Sequence, residues 1–231
     1  MRAVLDTARQ RVSAYGCFAN VHMAVEAAQD PQFAQAVNRA TWVSADGVPL
    51  AWALRLLYGI RQDRITGLDV LPELLTEAAN EQISVYFYGS TPDLLAQCAA
   101  FCAKHHPTLR IAGMHAPPFR PLTAAEEQAD IDRIRESGAG IVFVSLGCPK
   151  QEKWMARVSS RIPAVLLGIG GALPVTIGDV ARAPRWMQKA GLEWLFRLVQ
   201  EPRRLFKRYV YTNTLFVGYL LRQRLMGNLQ P

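Results

Sequence analysis

Asp46 closes the apolar run "TWVSA" and stands directly before Gly47. A carboxylate at a strand end suits a general base that takes a proton from an incoming hydroxyl, although Asp-Gly is also an ordinary turn pair. A second polar group follows in "RITGLD", where Arg64, Thr66 and Asp69 precede the helical pattern "VLPELLTEAA" and Asp69 could simply cap it. In "LGCPKQEKW", Gly147 and Pro149 shape a turn that carries Lys150, Gln151 and Glu152. Lys150 suits a phosphate and Gln151 or Glu152 a base or sugar hydroxyl; a helix start with an acidic first turn and a solvated lysine fits the same letters.

These groups need elements to hold them. Short β-rich runs alternate with longer helical ones: "VSAYGCFAN", "TWVSADG", "ISVYFYG", "LRIAGM", "IVFVSLG" and "AVLLGIGG" read as strands. Helical patterns stand between them, including "VHMAVEAAQDPQFAQAVNRA", "STPDLLAQCAAFCAKHH" with Ser90 or Thr91 as cap, and Thr123 to Ser137. Strands apolar on both faces and separated by helices imply an α/β fold, a Rossmann-like parallel sheet with helices on both faces. In such sheets ligands bind beyond the carboxyl ends of the strands. The turns "ADG", "YGS" with Gly89 and Ser90, "LGCPKQE", and "GIGG" with Gly170 therefore form the expected rim. No GxGxxG opens a helix, and GxxxxGK[ST], HExxH and GxSxG are absent, which removes the commonest dinucleotide, nucleotide hydrolase, zinc protease and serine hydrolase readings.

Charge is uneven along the chain. Residues 1–180 carry sixteen Lys/Arg against seventeen Asp/Glu, whereas residues 181–231 carry ten against two, which points to a polyanionic partner for the tail. There "GLEWLFRLVQEPRRLFKRY" interleaves large apolar side chains with arginines, and Glu201-Pro202 should break the helix. The following "YVYTNTLFVGYLL" is too short and polar to span a bilayer but suits an interface. "MRAVLDTARQRV" lacks an apolar signal core, so a cytoplasmic chain is expected. Cys17, Cys98, Cys102 and Cys148 show no paired zinc spacing; Cys98 and Cys102 with His105 and His106 could share a helix face toward a metal, but an ordinary packed helix fits the same letters better.

The blocks "ADGVPLAW", "RITGLDVLPELL", "YFYGSTPD", "IVFVSLGCPKQEKW" and "RAPRWMQKAGLEWLFRLVQEPRRLFKRY" resemble, in order and spacing, the WecG/TagA/CpsF glycosyltransferases, from about Ala14 to Tyr209. The resemblance implies an inverting transfer of a sugar (ManNAc, ManNAcA or glucose type) from a UDP donor. The acceptor it implies is a sugar on polyprenyl (undecaprenyl) diphosphate in bacterial surface polysaccharide synthesis. UDP-sugar is then a substrate, and neither cofactor nor metal is expected.

By the same resemblance Asp46 is the catalytic base and Arg64 an active-site cation. Gln151 contacts the donor, with Asn20, Thr66, Asp69, Gly89, Ser90, Gly147, Pro149, Lys150, Glu152 and Gly170 around it. Arg197, Arg203, Arg204 and Arg208 would meet the acceptor diphosphate and the membrane. The expected division is a catalytic domain over 1–190 and a membrane-docking appendage over 191–231, peripherally bound to the anionic inner face of the plasma membrane. Oligomeric state stays open and no nucleic acid is expected. Two departures from the resemblance stand out: Phe18-Ala19-Asn20 stands where many members carry a TxN sequence, and Pro174 where many carry an acid. They keep a catalytically inactive, membrane-docked scaffold as an alternative, with a nucleic-acid-binding module behind it.

Overall fold

A computed structural model describes residues 1–227. In chain order the elements are α1 (Arg2–Arg9), β1 (Ala14–Ala19), α2 (Val21–Gln29), α3 (Pro31–Asn38), β2 (Trp42–Ala45), α4 (Val48–Tyr58), α5 (Gly67–Asn80), β3 (Val85–Gly89), α6 (Pro92–His105), β4 (Ile111–His115), α7 (Ala124–Ser137), β5 (Ile141–Ser145), α8 (Lys150–Val158), β6 (Val165–Gly168), α9 (Ala172–Thr176), α10 (Arg185–Lys189), α11 (Glu193–Gln200) and α12 (Pro202–Leu225). The six strands form one parallel sheet in the order β2-β1-β6-β5-β3-β4, the α/β Rossmann-like class expected from the strand and helix alternation.

The chain divides into two compact units. The first comprises Met1–Cys17, Gln35–Val43 and Gly67–Val180. Its centre is the apolar run of each middle strand: Val85, Phe87, Ile141, Val142, Phe143, Val144, Val165 and Leu166 are all buried, as strands covered on both faces require. Phe87 and Phe143 face one another across neighbouring strands with ring centroids 5.4 Å apart. Tyr88 stacks on Trp154 and donates to the buried Asp130 (2.7 Å), so burying its hydroxyl leaves no unmet bond. Thr91 caps α6, and Thr123 with Glu126 forms a reciprocal capping box on α7. Asp69 does not cap α5. The helix begins at Gly67, placing Asp69 inside its first turn, where a carboxylate still complements the helix dipole.

The second unit comprises Phe18–Ala34, Ser44–Thr66 and the residues from Ala181 onward. Here α12 packs on α2 and α4, with side-chain ties Gln29 Nε2 to Tyr211 Oη (2.9 Å) and Gln223 Nε2 to Tyr58 Oη (2.5 Å). The C-terminal helices thus share their unit with two stretches from the first third of the chain. α11 ends at Gln200 and α12 begins at Pro202, the break expected from Glu201-Pro202.

Candidate active site

Backbone pairing assembles the polar cluster of the second unit. The Asp46 N–H donates to the Ala19 carbonyl (2.7 Å), which places Asp46 beside Asn20. One residue earlier, the Ala45 carbonyl accepts from the Ile65 N–H (3.0 Å), and Ser44 Oγ donates to the Ile65 carbonyl (3.2 Å). That double tie brings Arg64 to the same strand end. Asn20 has two tasks: its Oδ1 caps α2 by accepting from the Met23 N–H (3.2 Å), and its side chain also hydrogen-bonds Asp46. Gly47 has an extended backbone and forms the N-cap of α4, so "ADG" is a strand-to-helix junction.

The Asp46 carboxyl is half-buried and its pKa is raised from 3.8 to about 6. Loss of hydration is the largest cause; Asn20 and Arg64 act against it, the Glu193 carboxylate adds to it, and Arg197 opposes. A carboxylate so tuned keeps its charge at neutral pH and has gained basicity, which is what proton abstraction from a sugar hydroxyl requires.

Glu193 and Arg182 belong to this cluster, although neither was singled out from the sequence. Arg64 Nη1 pairs with Glu193 Oε2, and Arg182 Nε lies 3.6 Å from Glu193 Oε1, with all three side chains less than one-third exposed. Both residues stand in the "RAPRW" and "GLEW" blocks; counting the tail as a field of cations hid the half-buried acid within it. Of the four C-terminal arginines, Arg197 comes within electrostatic reach of Asp46. Arg204 is held by Glu201 (2.6 Å), Arg208 lies 5.5 Å over the Tyr209 ring, and Arg203 is exposed on α12. Thr66 is buried in the same unit.

In the first unit the strand order identifies a second set. β5 connects onward to β6 on one side and β3 to β4 on the other, so the connections leaving these neighbouring strands diverge. Such a switch point opens a crevice at the carboxyl ends of the strands. Gly89, Ser90, Ser145 and Gly147 stand there. Gly89 has φ +106, and a Cβ at this position would lie 2.5 Å from the Ser145 carbonyl oxygen, so only glycine fits. Ser90 also has a positive φ (68°), held by its N–H to the Ser145 carbonyl (2.9 Å).

Gln151, buried at the start of α8, ties this rim together. Its Oε1 accepts from the Gly147 N–H (3.2 Å), and its Nε2 donates to the Gly168 carbonyl (3.0 Å) and to Glu152 Oε1 (2.8 Å). Ser145 Oγ donates to the Gly170 carbonyl (2.6 Å). Glu152 is fully buried, and burial pushes its carboxyl up. Pro149 is the N-cap of α8 after a cis peptide bond, while Lys150, the helix's first residue, is exposed. Pro174 lies in α9. The helix-face metal alternative is not assembled: Cys98 and Cys102 are buried, whereas His105 and His106 turn to Phe101. Among the described residues no three His, Cys, Asp or Glu side chains gather as a metal-holding group.

A profile of the "Glycosyl transferase WecG/TagA/CpsF family" matches residues 1–230. The chain belongs to this family. It is similar to the N-acetylglucosaminyldiphosphoundecaprenol N-acetyl-beta-D-mannosaminyltransferase of Bacillus subtilis (strain 168), with 31% identity over 196 residues that cover 84% of this chain and 75% of the relative. The chain is thus a glycosyltransferase, as the sequence blocks implied.

The glycosyltransferase carries its surface character unevenly. Its second unit has thirteen Lys/Arg against six Asp/Glu and its first thirteen against thirteen, so the net +7 resides in the second. Sixteen of the twenty exposed large apolar side chains among the described residues also lie in the second unit. On α12, Phe206, Val210, Val217 and Leu221 are at least half exposed and fall within roughly 60° of one another around the helix, with Arg203 and Arg224 in the same sector. The buried Leu205 and Thr212 point the opposite way. Among the described residues no helix is long and apolar enough to cross a membrane.

Proposed function

We propose that this glycosyltransferase moves an N-acetylmannosaminyl-type sugar from a UDP donor, with inversion, onto a sugar carried by polyprenyl diphosphate. The carrying observation is the Asp46 carboxylate, held by Asn20 beside Arg64 and raised to about 6. In this reading Asp46 takes the proton of the acceptor hydroxyl as its oxygen attacks the anomeric carbon. The bond from that carbon to UDP breaks on the opposite face, and Arg64 and Arg197 offset the negative charge that develops on the diphosphate. Taken by itself, the switch-point rim of the first unit, with its glycine turns and Gln151, is the kind of crevice at which parallel α/β sheets take ligands. The activity that names the Bacillus subtilis relative supports the same acceptor class.

Arginines and backbone dipoles supply the positive field in this scheme, so turnover is expected to continue in excess chelator. The exposed apolar and cationic sector of α12 suits peripheral attachment to an anionic bilayer, where a lipid-linked acceptor lies. The test is UDP release and product formation with UDP-N-acetylmannosamine and a short-chain prenyl-diphosphate N-acetylglucosamine, with and without chelator. Product in both arms is expected. No product with this pair, but turnover with another UDP-sugar, would refute the donor assignment; abolition by chelator with rescue by magnesium would refute the metal-free scheme.

A further inference from the structure

The polar cluster around Asp46 contains an acid, Glu193, to which the reaction scheme gives no task. Glu193 opens α11, after a turn in which Gly191 adopts φ +72 and lies so close to Val48 that a Cβ would sit 3.1 Å from its Cγ2. This fixed turn delivers the carboxylate to Arg64 on one oxygen and toward Arg182 on the other. The Glu193 side chain is only 15% exposed and its partners 21% and 29%, so the group is poorly hydrated and the pairing is held in a reduced dielectric. Arg64 has four single bonds between its backbone and guanidinium. Without an anchor it would sample many rotamers, and a cation displaced by about 1 Å from a reacting diphosphate can cost on the order of a hundredfold in rate.

We propose that Glu193 is a positioning residue: by pairing with Arg64 and facing Arg182 it orients the catalytic cation beside Asp46, making the docking of α11 and the completion of the catalytic group one event. The inference rests on the roles given to Asp46 and Arg64 above. It adds a function for the C-terminal segment that does not depend on contact with lipid or acceptor. It also gives a task to the acid that stands at this position of a basic tail: a neutral residue would remove a carboxylate that pairs with Arg64 from α11. The groups facing Asp46 are Asn20 at the start of α2, Arg64 on the segment before α5, and Glu193 and Arg197 on α11. Glu193 opposes the arginines there by raising the basicity of Asp46.

The experiment compares Glu193→Gln, Glu193→Asp and Glu193→Ala in the full chain, using UDP release with a soluble short-chain acceptor, melting temperature, and the pH profile of kcat/KM. Glu193→Gln should lower kcat by roughly ten- to a hundredfold with less than a threefold change in donor KM, since the guanidinium is loosened while nucleotide contacts remain. The acidic limb of its profile should move to lower pH, because a negative charge near Asp46 is gone while the arginines stay. Glu193→Asp should recover part of the rate and Glu193→Ala should fall below both. Should Glu193→Gln melt far below the parent, Glu193→Asp carries the decision, with intermediate kcat and a limb at the parent's pH expected. Parent-like kcat and an unmoved limb in Glu193→Gln would overturn the proposal, as would kcat losses in all three that follow melting temperature alone. Asp46→Asn and Arg64→Ala serve as controls. If either keeps parent activity the underlying site assignment fails; if both are inactive while Glu193→Gln is not, only the present inference fails.

Discussion

At the scale of single residues, Asp46 links stability and catalysis with opposite signs. Its folded pKa, about 6, lies above the ordinary 3.8, so the native state binds this proton more tightly than the unfolded chain between those values. Stability from this group is therefore greatest below pH 4, declines as pH rises through 6, and is lowest where the enzyme has its base ionised. Asp46→Asn should accordingly gain stability of order 1–2 kcal/mol at pH 8 while losing roughly 10²–10⁴-fold in turnover. Thermal melts at pH 8 and steady-state rates check both halves, and a destabilised or fully active variant would contradict the assignment. The parent's kcat/KM should fall as pH drops through about 6. The sequence marks Asp46 as a candidate by its place between an apolar strand and a glycine, with an ordinary turn pair as the other reading. The tuning of Asp46 is not legible there, because Asn20, Arg64, Glu193 and Arg197 reach it across long stretches of sequence, and only the Ala19 and Ile65 backbone bonds bring those stretches together.

At the scale of elements, apolar period and caps carried most of the information. The buried runs of β3, β5 and β6 and the capping box of α7 are local patterns, so alternation and composition reveal them. The start of α5 was displaced by three residues, from Val70 to Gly67, because Asp69 looks like a cap whether it stands before the first turn or inside it. The roles within "LGCPKQEKW" were open in sequence for a related reason. Gln151 is decided by a carbonyl seventeen residues away on β6, and nothing local announces that. Gln151→Ala would remove the acceptor of the Gly147 N–H and the donor to Gly168, leaving the rim untied. The expected result is a weaker UDP affinity by about tenfold or more, consistent with one or two lost hydrogen bonds in a buried setting, read by calorimetry with UDP. Unaltered UDP affinity would remove Gln151 from the rim's function.

At the scale of the whole molecule, sequence counting placed the excess charge in residues 181–231, and the fold assigns it to a unit that also contains Phe18–Ala34 and Ser44–Thr66. Those stretches carry Asp46 and Arg64, the base and cation of the proposed scheme, so the cationic segment and that polar cluster share one structural unit. A chain cut after Gly191 would therefore strip α12 from α2 and α4 and remove Glu193 and Arg197, and its inactivity would say nothing specific about lipid. Point substitutions on the outward sector of α12 separate the two effects. Phe206 and Val210 are exposed and away from the packed side marked by Leu205 and Thr212, so Phe206→Ser with Val210→Ser should leave the melting temperature within a few degrees of the parent. The same variant should sediment less with vesicles of anionic lipid, as should Arg203→Ala with Arg204→Ala. The arginine pair alone should blunt the salt dependence of binding, because each cation near an anionic surface contributes about 1 kcal/mol that salt screens. Both variants should keep parent UDP binding and lose activity mainly toward long-chain, vesicle-borne acceptors. If vesicle binding is equal to the parent in both, or if the loss is as large with a soluble short-chain acceptor, α12 does not act through the membrane surface.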